Sequence, residues 1–250
     1  MAKILVANKF YYQRGGDCIY TIDLVGLLQS HGHDVAVFAM QHPETLQTPW
    51  NKYFPEEVKF GMGVSSFKAI LRPFGTADVI QKFNALLDDF KPDIVHLNNI
   101  HSQLSPVIAE VAHSRGIKVF WTLHDHKLLC SRYDCLRNGT ICEQCLDNLH
   151  NVVKHKCLKN SYIASSIAYF EAKKWNRDRL EKCTDQFIAP SQYMLKKMQS
   201  GRFTSSKITQ LYHFVDEKKY ENADYEKEDY YCFVGRLSPE KGVATLIEAA

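Results

Sequence analysis

The sequence predicts a doubly wound α/β fold with a mostly parallel sheet, and three observations support this reading. Short apolar runs alternate with stretches of helical period from Lys3 to the helix that begins at Ser191. The helical stretches stop at Gly32, Pro92 and Gly116, residue types that end helices. Each run is joined to the next through a helix rather than a tight hairpin, which makes successive strands parallel.

Taken in order, Lys3-Ile4-Leu5-Val6-Ala7 is a strand that enters a polar, Gly-containing loop. Tyr20, Ile22, Leu24, Val25, Leu27 and Leu28 then recur as one face of a helix, and Val35-Ala36-Val37-Phe38 is the second strand. Asp78 to Phe90 predicts a helix, Asp93 to Leu97 a strand, Leu104 to Ser114 a helix, and Ile117 to Leu123 a strand. A Cys-rich loop follows, then one long helical pattern from about Ser161 to Cys183, the strand Gln186 to Ala189, and a helix from Ser191. The charged stretch 216–229 has no apolar period and reads as a linker. Tyr230 to Gly235 looks like a new buried strand, and a helix from about Gly242 is still running at Ala250. One strand and part of a helix cannot bury a core. The expected organisation is therefore a domain over 1–215 with a Cys-rich insertion at 130–157, a linker over 216–229, and the start of a truncated second domain over 230–250.

Over 250 residues, 31 Lys and Arg stand against 28 Asp and Glu, a net charge of +3 that gives no reason to expect nucleic acid. The first apolar stretch, Ile4 to Ala7, is far too short for a signal peptide, so a cytoplasmic protein is expected. Thiols in a reducing compartment stay unpaired, which turns attention to metal binding. Five of the eight cysteines lie between 130 and 157. Cys142-Glu143-Gln144-Cys145 is a Cys-x-x-Cys pair, and Cys130 and Cys157 on either side complete four soft ligands for a structural zinc knuckle, with Cys135 and His155 as rivals. Four protein ligands would leave that ion no open position for chemistry.

Two loops are placed for ligand chemistry. Asn8 to Asp17 contains Gly15 and Gly16, which let a backbone approach a phosphate or sugar at a helix amino terminus. The Gly-x-Gly-x-x-Gly fingerprint and its distal acid are missing, which disfavours NAD. His124-Asp125-His126 sits at the carboxyl end of a strand, where open α/β sheets bind ligands. An imidazole there meets a sugar hydroxyl or phosphoryl oxygen, with the neighbouring carboxylate expected to set its tautomer. Two basic, aromatic stretches, Phe67 to Phe74 and Lys173 to Arg179, read as core-facing stripes or as a peripheral contact with an anionic membrane.

Gly235-Arg236-Leu237-Ser238-Pro239-Glu240-Lys241-Gly242 resembles the opening of the donor domain in retaining glycosyltransferases of family 4, of the GT-B architecture. Gly15-Gly16, His31-Gly32-His33-Asp34-Val35, Pro92-Asp93-Ile94-Val95-His96, Thr122-Leu123-His124-Asp125 and Ala189-Pro190-Ser191 extend the resemblance over nearly the whole chain. The Cys pattern resembles a subset associated with bacterial surface polysaccharides. The resemblance implies two Rossmann-like domains and transfer of a hexose, with retention, from a nucleoside diphosphate sugar to a hydroxyl of a glycan or lipid-linked acceptor at the inner face of the membrane. It places Gly16, with Gly15 in the same cradle, against the donor diphosphate, His124 near the reacting centre, and Arg236 and Lys241 on the leaving diphosphate. No Asp-x-Asp occurs, so no catalytic metal is expected. Tyr212-His213-Phe214-Val215-Asp216 departs from the family's Asn-Gly-Val-Asp-like turn, and its Glu-containing donor motif would lie beyond Ala250. The chain is thus expected to be inactive alone; a non-catalytic module that binds the acceptor is the alternative.

Overall fold

Six parallel strands form the sheet that the alternation predicts. The computed structural model describes residues 1–58, 64–215, 221, 226–227, 229–238 and 241–249. The chain runs β1 (Lys3–Ala7), α1 (Gly16–Ser30), β2 (Asp34–Phe38), α2 (Val64–Leu71), α3 (Ala77–Phe90), β3 (Ile94–Leu97), α4 (Val107–Ser114) and β4 (Lys118–Thr122). The insertion follows with a small hairpin, β5 (Leu136–Arg137) and β6 (Thr140–Ile141), and the short helices α5 (Gln144–Asp147) and α6 (Asn151–Lys154). Then come α7 (Tyr162–Lys174), α8 (Arg177–Lys182), β7 (Gln186–Ala189), α9 (Gln192–Ser200), β8 (Ile208–Gln210) and α10 (Val243–Ala249).

The strand order β2-β1-β3-β4-β7-β8 reverses between β1 and β3, the switch point where such sheets open a crevice at their carboxyl ends. Leu5, Val6, Val95, Val119 and Phe187 are fully buried, as near-continuous apolar runs in a covered parallel sheet should be. Trp121 on β4 is buried, and its indole N–H donates to the Asn98 carbonyl at 2.9 Å. That bond ties the end of β4 to the loop after β3.

Four local expectations change. The helix predicted from Leu104 begins at Val107, because Ser105 adopts a left-handed φ of 67° and donates its hydroxyl to the Pro73 carbonyl at 2.8 Å. The long pattern from Ser161 breaks after Lys174, where Asn176 caps a new helix by accepting from the Arg179 N–H at 3.0 Å. β8, not predicted, closes the edge beside β7. Tyr230 to Gly235 forms no strand: Tyr230, Tyr231 and Val234 are exposed, and nothing from 229–249 joins the core among the described residues. Among the described residues no strand pairs with this segment, and an unpaired strand has no ladder to hold it. Most of the expected linker 216–229, together with Pro239, Glu240 and Ala250, lies outside the described residues.

Candidate functional site

The crevice is built from three strand-end loops. After β1, the fully buried Asn8 braces the loop: its amide donates to the Phe10 carbonyl at 2.8 Å and its carbonyl oxygen accepts from the Asn99 N–H at 3.0 Å. The loop ends at Gly15, which caps α1 in an extended conformation without any side-chain hydrogen bond. A Cβ at Gly16 would meet nothing within 4 Å, so the start of α1 faces open space. Free N–H groups and the positive end of the helix dipole make that opening suitable for an anion.

His124 lies just beyond β4. Its Nε2 is 3.0 Å from the Asn98 carboxamide oxygen, a pairing that assigns the proton to Nε2. The Tyr20 ring, from α1, meets His124 edge-on at 5.1 Å, and His213 stacks on it at 5.2 Å. Tyr20 also lies 4.2 Å from His213, so helix α1, β4 and the stretch after β8 converge on one aromatic cluster. Burial, reinforced by the neighbouring His213, pushes the His124 imidazole down to about 3. The ring is therefore neutral at physiological pH: it donates through Nε2 and leaves Nδ1 as an acceptor. One strand further in, His96 bonds the Thr122 hydroxyl at 2.8 Å, and burial pushes it down to about 4.

Among the described residues, the polar atoms buried without partners at this edge include the Asn98 amide nitrogen and one Asp17 carboxylate oxygen, with His126 Nε2 and the Gln210 amide nitrogen further along it. Buried polar groups are normally paired, so an unpaired donor and acceptor beside the His124 ring mark where a polar ligand would complete the network. Sequence reasoning missed Asn98, Asp17, Tyr20 and His213. Asn98 could have been found by position, because it follows β3 as His124 follows β4. Asp125, expected to orient His124, instead accepts from the Lys127 N–H at 2.8 Å, and Asn98 orients the ring.

Arg236 and Lys241 are exposed, in a stretch that adds nothing to the core among the described residues. The zinc knuckle is not assembled: among the described residues no three His, Cys, Asp or Glu side chains converge as metal ligands would, and all eight thiols are free. Cys145 sits on α5, where burial, with the neighbouring Cys130, Cys157 and Cys142 thiols adding to it, pushes its own thiol up to about 12. Parts of the two basic stretches turn inward, while Lys68 and Lys173 are exposed. Arg72 is buried on Asp78 at 2.8 Å, Arg179 grips Glu110 at 2.9 Å, and Lys174 donates to the Phe74 carbonyl. No described helix is long and apolar enough to cross a membrane.

The sequence model of glycosyltransferase family 4 matches residues 14–219. A protein of Klebsiella pneumoniae, described as an uncharacterized 42.6 kDa protein in the cps region, is 23% identical over 256 aligned positions, covering 96% of this chain and 62% of that protein. Among solved structures, Staphylococcus aureus MnaA in complex with UDP superposes with a TM-score of 0.49 at 14% identity, over 92% of this chain and 50% of that one. UDP-N-acetylglucosamine 2-epimerase from Rickettsia bellii gives 0.46 at 12% identity, over 84% and 44%. The chain thus spans less than two thirds of the length of the relatives it matches.

Proposed function

The chain belongs to glycosyltransferase family 4, and we propose that it supplies the acceptor side of a retaining hexosyltransferase that uses a nucleoside diphosphate sugar. The reading rests on one observation: a neutral His124, held by Asn98 at the end of β4, shares an aromatic cluster with the helix that Gly15 and Gly16 open. In this reading the amides at Gly15 and Gly16 receive the donor diphosphate, as helix starts receive phosphates. His124 accepts a hydroxyl of the transferred hexose through Nδ1, and the unpaired Asn98 amide donates to the same ligand. Arg236 and Lys241 come onto the diphosphate from a second domain of which 230–250 is the beginning, after 1–215 and the linker 216–229. They neutralise charge that grows on the leaving group as the glycosidic bond breaks. No metal enters this reading.

The acceptor is a glycan or a lipid-linked sugar in cell-surface polysaccharide synthesis, met at the inner face of the membrane. An exposed surface at α7 supports that setting, since Tyr162, Ile163 and Phe170 are exposed together with Lys159 and Lys173, apolar and basic groups that an anionic membrane would receive. Binding to phosphatidylglycerol vesicles that drops when Ile163 and Phe170 become Ser supports it; binding that does not change argues for an acceptor met in solution.

The central test measures nucleotide release from a panel of nucleoside diphosphate sugars, with glycan and polyprenyl-linked acceptors. It uses this chain and any longer product of the same reading frame. Turnover only by the longer form, abolished by His124→Ala, is expected. Full turnover by the 250 residues refutes the incomplete second domain, and acceptor binding without turnover by the longer form assigns a binding module.

A further inference from the structure

The loop between β1 and α1 carries two cations without an ion-pair partner. Lys9 holds its ammonium 5.9 Å from the centre of the Phe10 ring and Arg14 holds its guanidinium over the same ring at 4.1 Å, so two like charges converge on one buried aromatic. Among the described residues neither side chain forms an ion pair within 4.0 Å or a hydrogen bond. Arg14 is exposed, whereas Lys9 is half-buried. The Lys9 backbone is fixed on both sides: its N–H donates to the Asn99 carbonyl at 2.9 Å and its carbonyl accepts from the Met40 N–H at 3.2 Å. Those bonds reach the ends of β3 and β2, so Lys9 stands where the strand order reverses, the place at which such sheets hold ligands. An ammonium there has given up part of its water, and the fold supplies no acceptor for its three N–H groups.

The surroundings select the missing partner. Lys9 acts electrostatically on His124, His101 and Cys18, all three kept neutral by burial, with the Cys18 thiol pushed up to about 11. The carboxylates that act on this loop do not quench the pair: Asp125 accepts from the Lys127 N–H at 2.8 Å, Glu44 leans on His42 at 3.9 Å, and Asp17 and Glu57 lie beyond 4.0 Å of either cation. Helix α1, 15 residues long, adds the positive end of its dipole directly after Arg14, with open space at Gly16. Asn98, 1% exposed with its amide nitrogen unpartnered, lies next to the Asn99 that anchors Lys9. A ligand that serves both cations must offer acceptor oxygens in more than one direction. A carboxylate has two in one plane and a single charge; a phosphoryl group spreads its oxygens around a tetrahedron and carries more charge, so it bridges an ammonium and a guanidinium at once.

We propose that Lys9 and Arg14 form a phosphoryl-binding pair at the edge of the crevice, Lys9 as the fixed point charge and Arg14 as the planar fork that closes from outside. Assigning the phosphate to the sugar donor or to a lipid-linked acceptor rests on the glycosyl-transfer reading; the pair itself does not.

Calorimetric titration of the 250-residue chain with inorganic pyrophosphate, UDP and farnesyl phosphate tests it, with acetate as the control anion. Pyrophosphate is expected to bind, less tightly as salt rises. Lys9→Gln should weaken it about tenfold, and Arg14→Gln, at a more solvated position, about threefold. Lys9→Arg, which keeps the charge, should retain most of the binding, and Lys196→Gln, which removes an exposed charge from α9, should change nothing. No pyrophosphate binding, acetate binding of equal strength, or equal losses in Lys9→Gln and Lys196→Gln overturns the pair. A larger Lys9→Gln loss for UDP assigns the phosphate to the donor, and a larger loss for farnesyl phosphate assigns it to a lipid-linked acceptor. In the longer form, turnover untouched by both Gln variants at Lys9 and Arg14 overturns the pair and leaves the transfer reading standing. Pyrophosphate binding that depends on Lys9, in a longer form without turnover, keeps the pair and removes that reading.

Discussion

The carboxyl edge of the sheet and the stretch from Asp229 to Ala249 each carry part of the donor-binding set proposed above, yet they are held in opposite ways. His124 follows a strand whose Trp121 is 1% exposed, and it is hydrogen-bonded across to the loop after β3. Arg236 and Lys241 are exposed, in a stretch that adds no residue to the core among the described residues. The contrast teaches that a motif supplies chemistry while a ladder and a core supply position. A group that must act over about 3 Å is useful only when its neighbours fix it.

Stability should separate the two regions most sharply. Phe83→Ala, in the core, is expected to cost about 3–5 kcal/mol, whereas Val234→Ala should stay within about 0.5 kcal/mol; urea unfolding measures both. Comparable losses would mean that the 229–249 stretch is docked after all. Next in size is catalysis. His124→Ala should lower transfer by the longest active chain about a hundredfold while leaving its melting temperature nearly unchanged. Asn98→Leu should lose a smaller part of that factor by freeing the ring, and a silent Asn98→Leu would remove it as the positioning residue.

The pH dependence of folding is a smaller lever. His96 and His124 are held neutral in the fold, with imidazoles at about 4 and about 3, whereas in the unfolded chain they titrate near 6.5. Protons therefore favour the unfolded state as pH falls below 6.5, and the loss accumulates until the folded values are reached. Each ring should cost about 1–2 kcal/mol at pH 5. His96→Gln should flatten the fall in melting temperature between pH 7.5 and 5; an unchanged slope would show that the ring is hydrated. Smallest is Arg236→Ala, with about a tenfold loss in kcat/KM where the donor domain is complete and no change in UDP affinity of the 250-residue chain. A change in that affinity would place Arg236 on the ligand already.

Much of the sheet was legible because a buried parallel strand must be apolar along its length, as Leu5 to Ala7 and Val119 to Trp121 are. β8 was not, being three residues with Thr209 and Gln210 among them. The break at Asn176 was hidden, since a capping Asn looks like any polar residue on a helical stripe until its side chain is seen to accept from Arg179. At the site, the location of His124 followed from topology. Its partner did not, because adjacency in sequence favoured Asp125 and only the β3–β4 pairing brings Asn98 across. Cysteine spacing named potential ligands for zinc but could not tell whether their thiols converge.

The parallel ladder also has a kinetic side. Each of its pairings closes a crossover, and the one from Thr122 to Gln186 is lengthened by the Cys-rich insertion. Doubling a loop adds only about 0.6 kcal/mol to its closure entropy, so the insertion weighs little on the finished fold. Its effect falls on the schedule. β1, β2, β3 and β4 can assemble early, but the β4 edge stays open until the chain has passed Ala189, and through that interval it is the surface most exposed to the wrong partner.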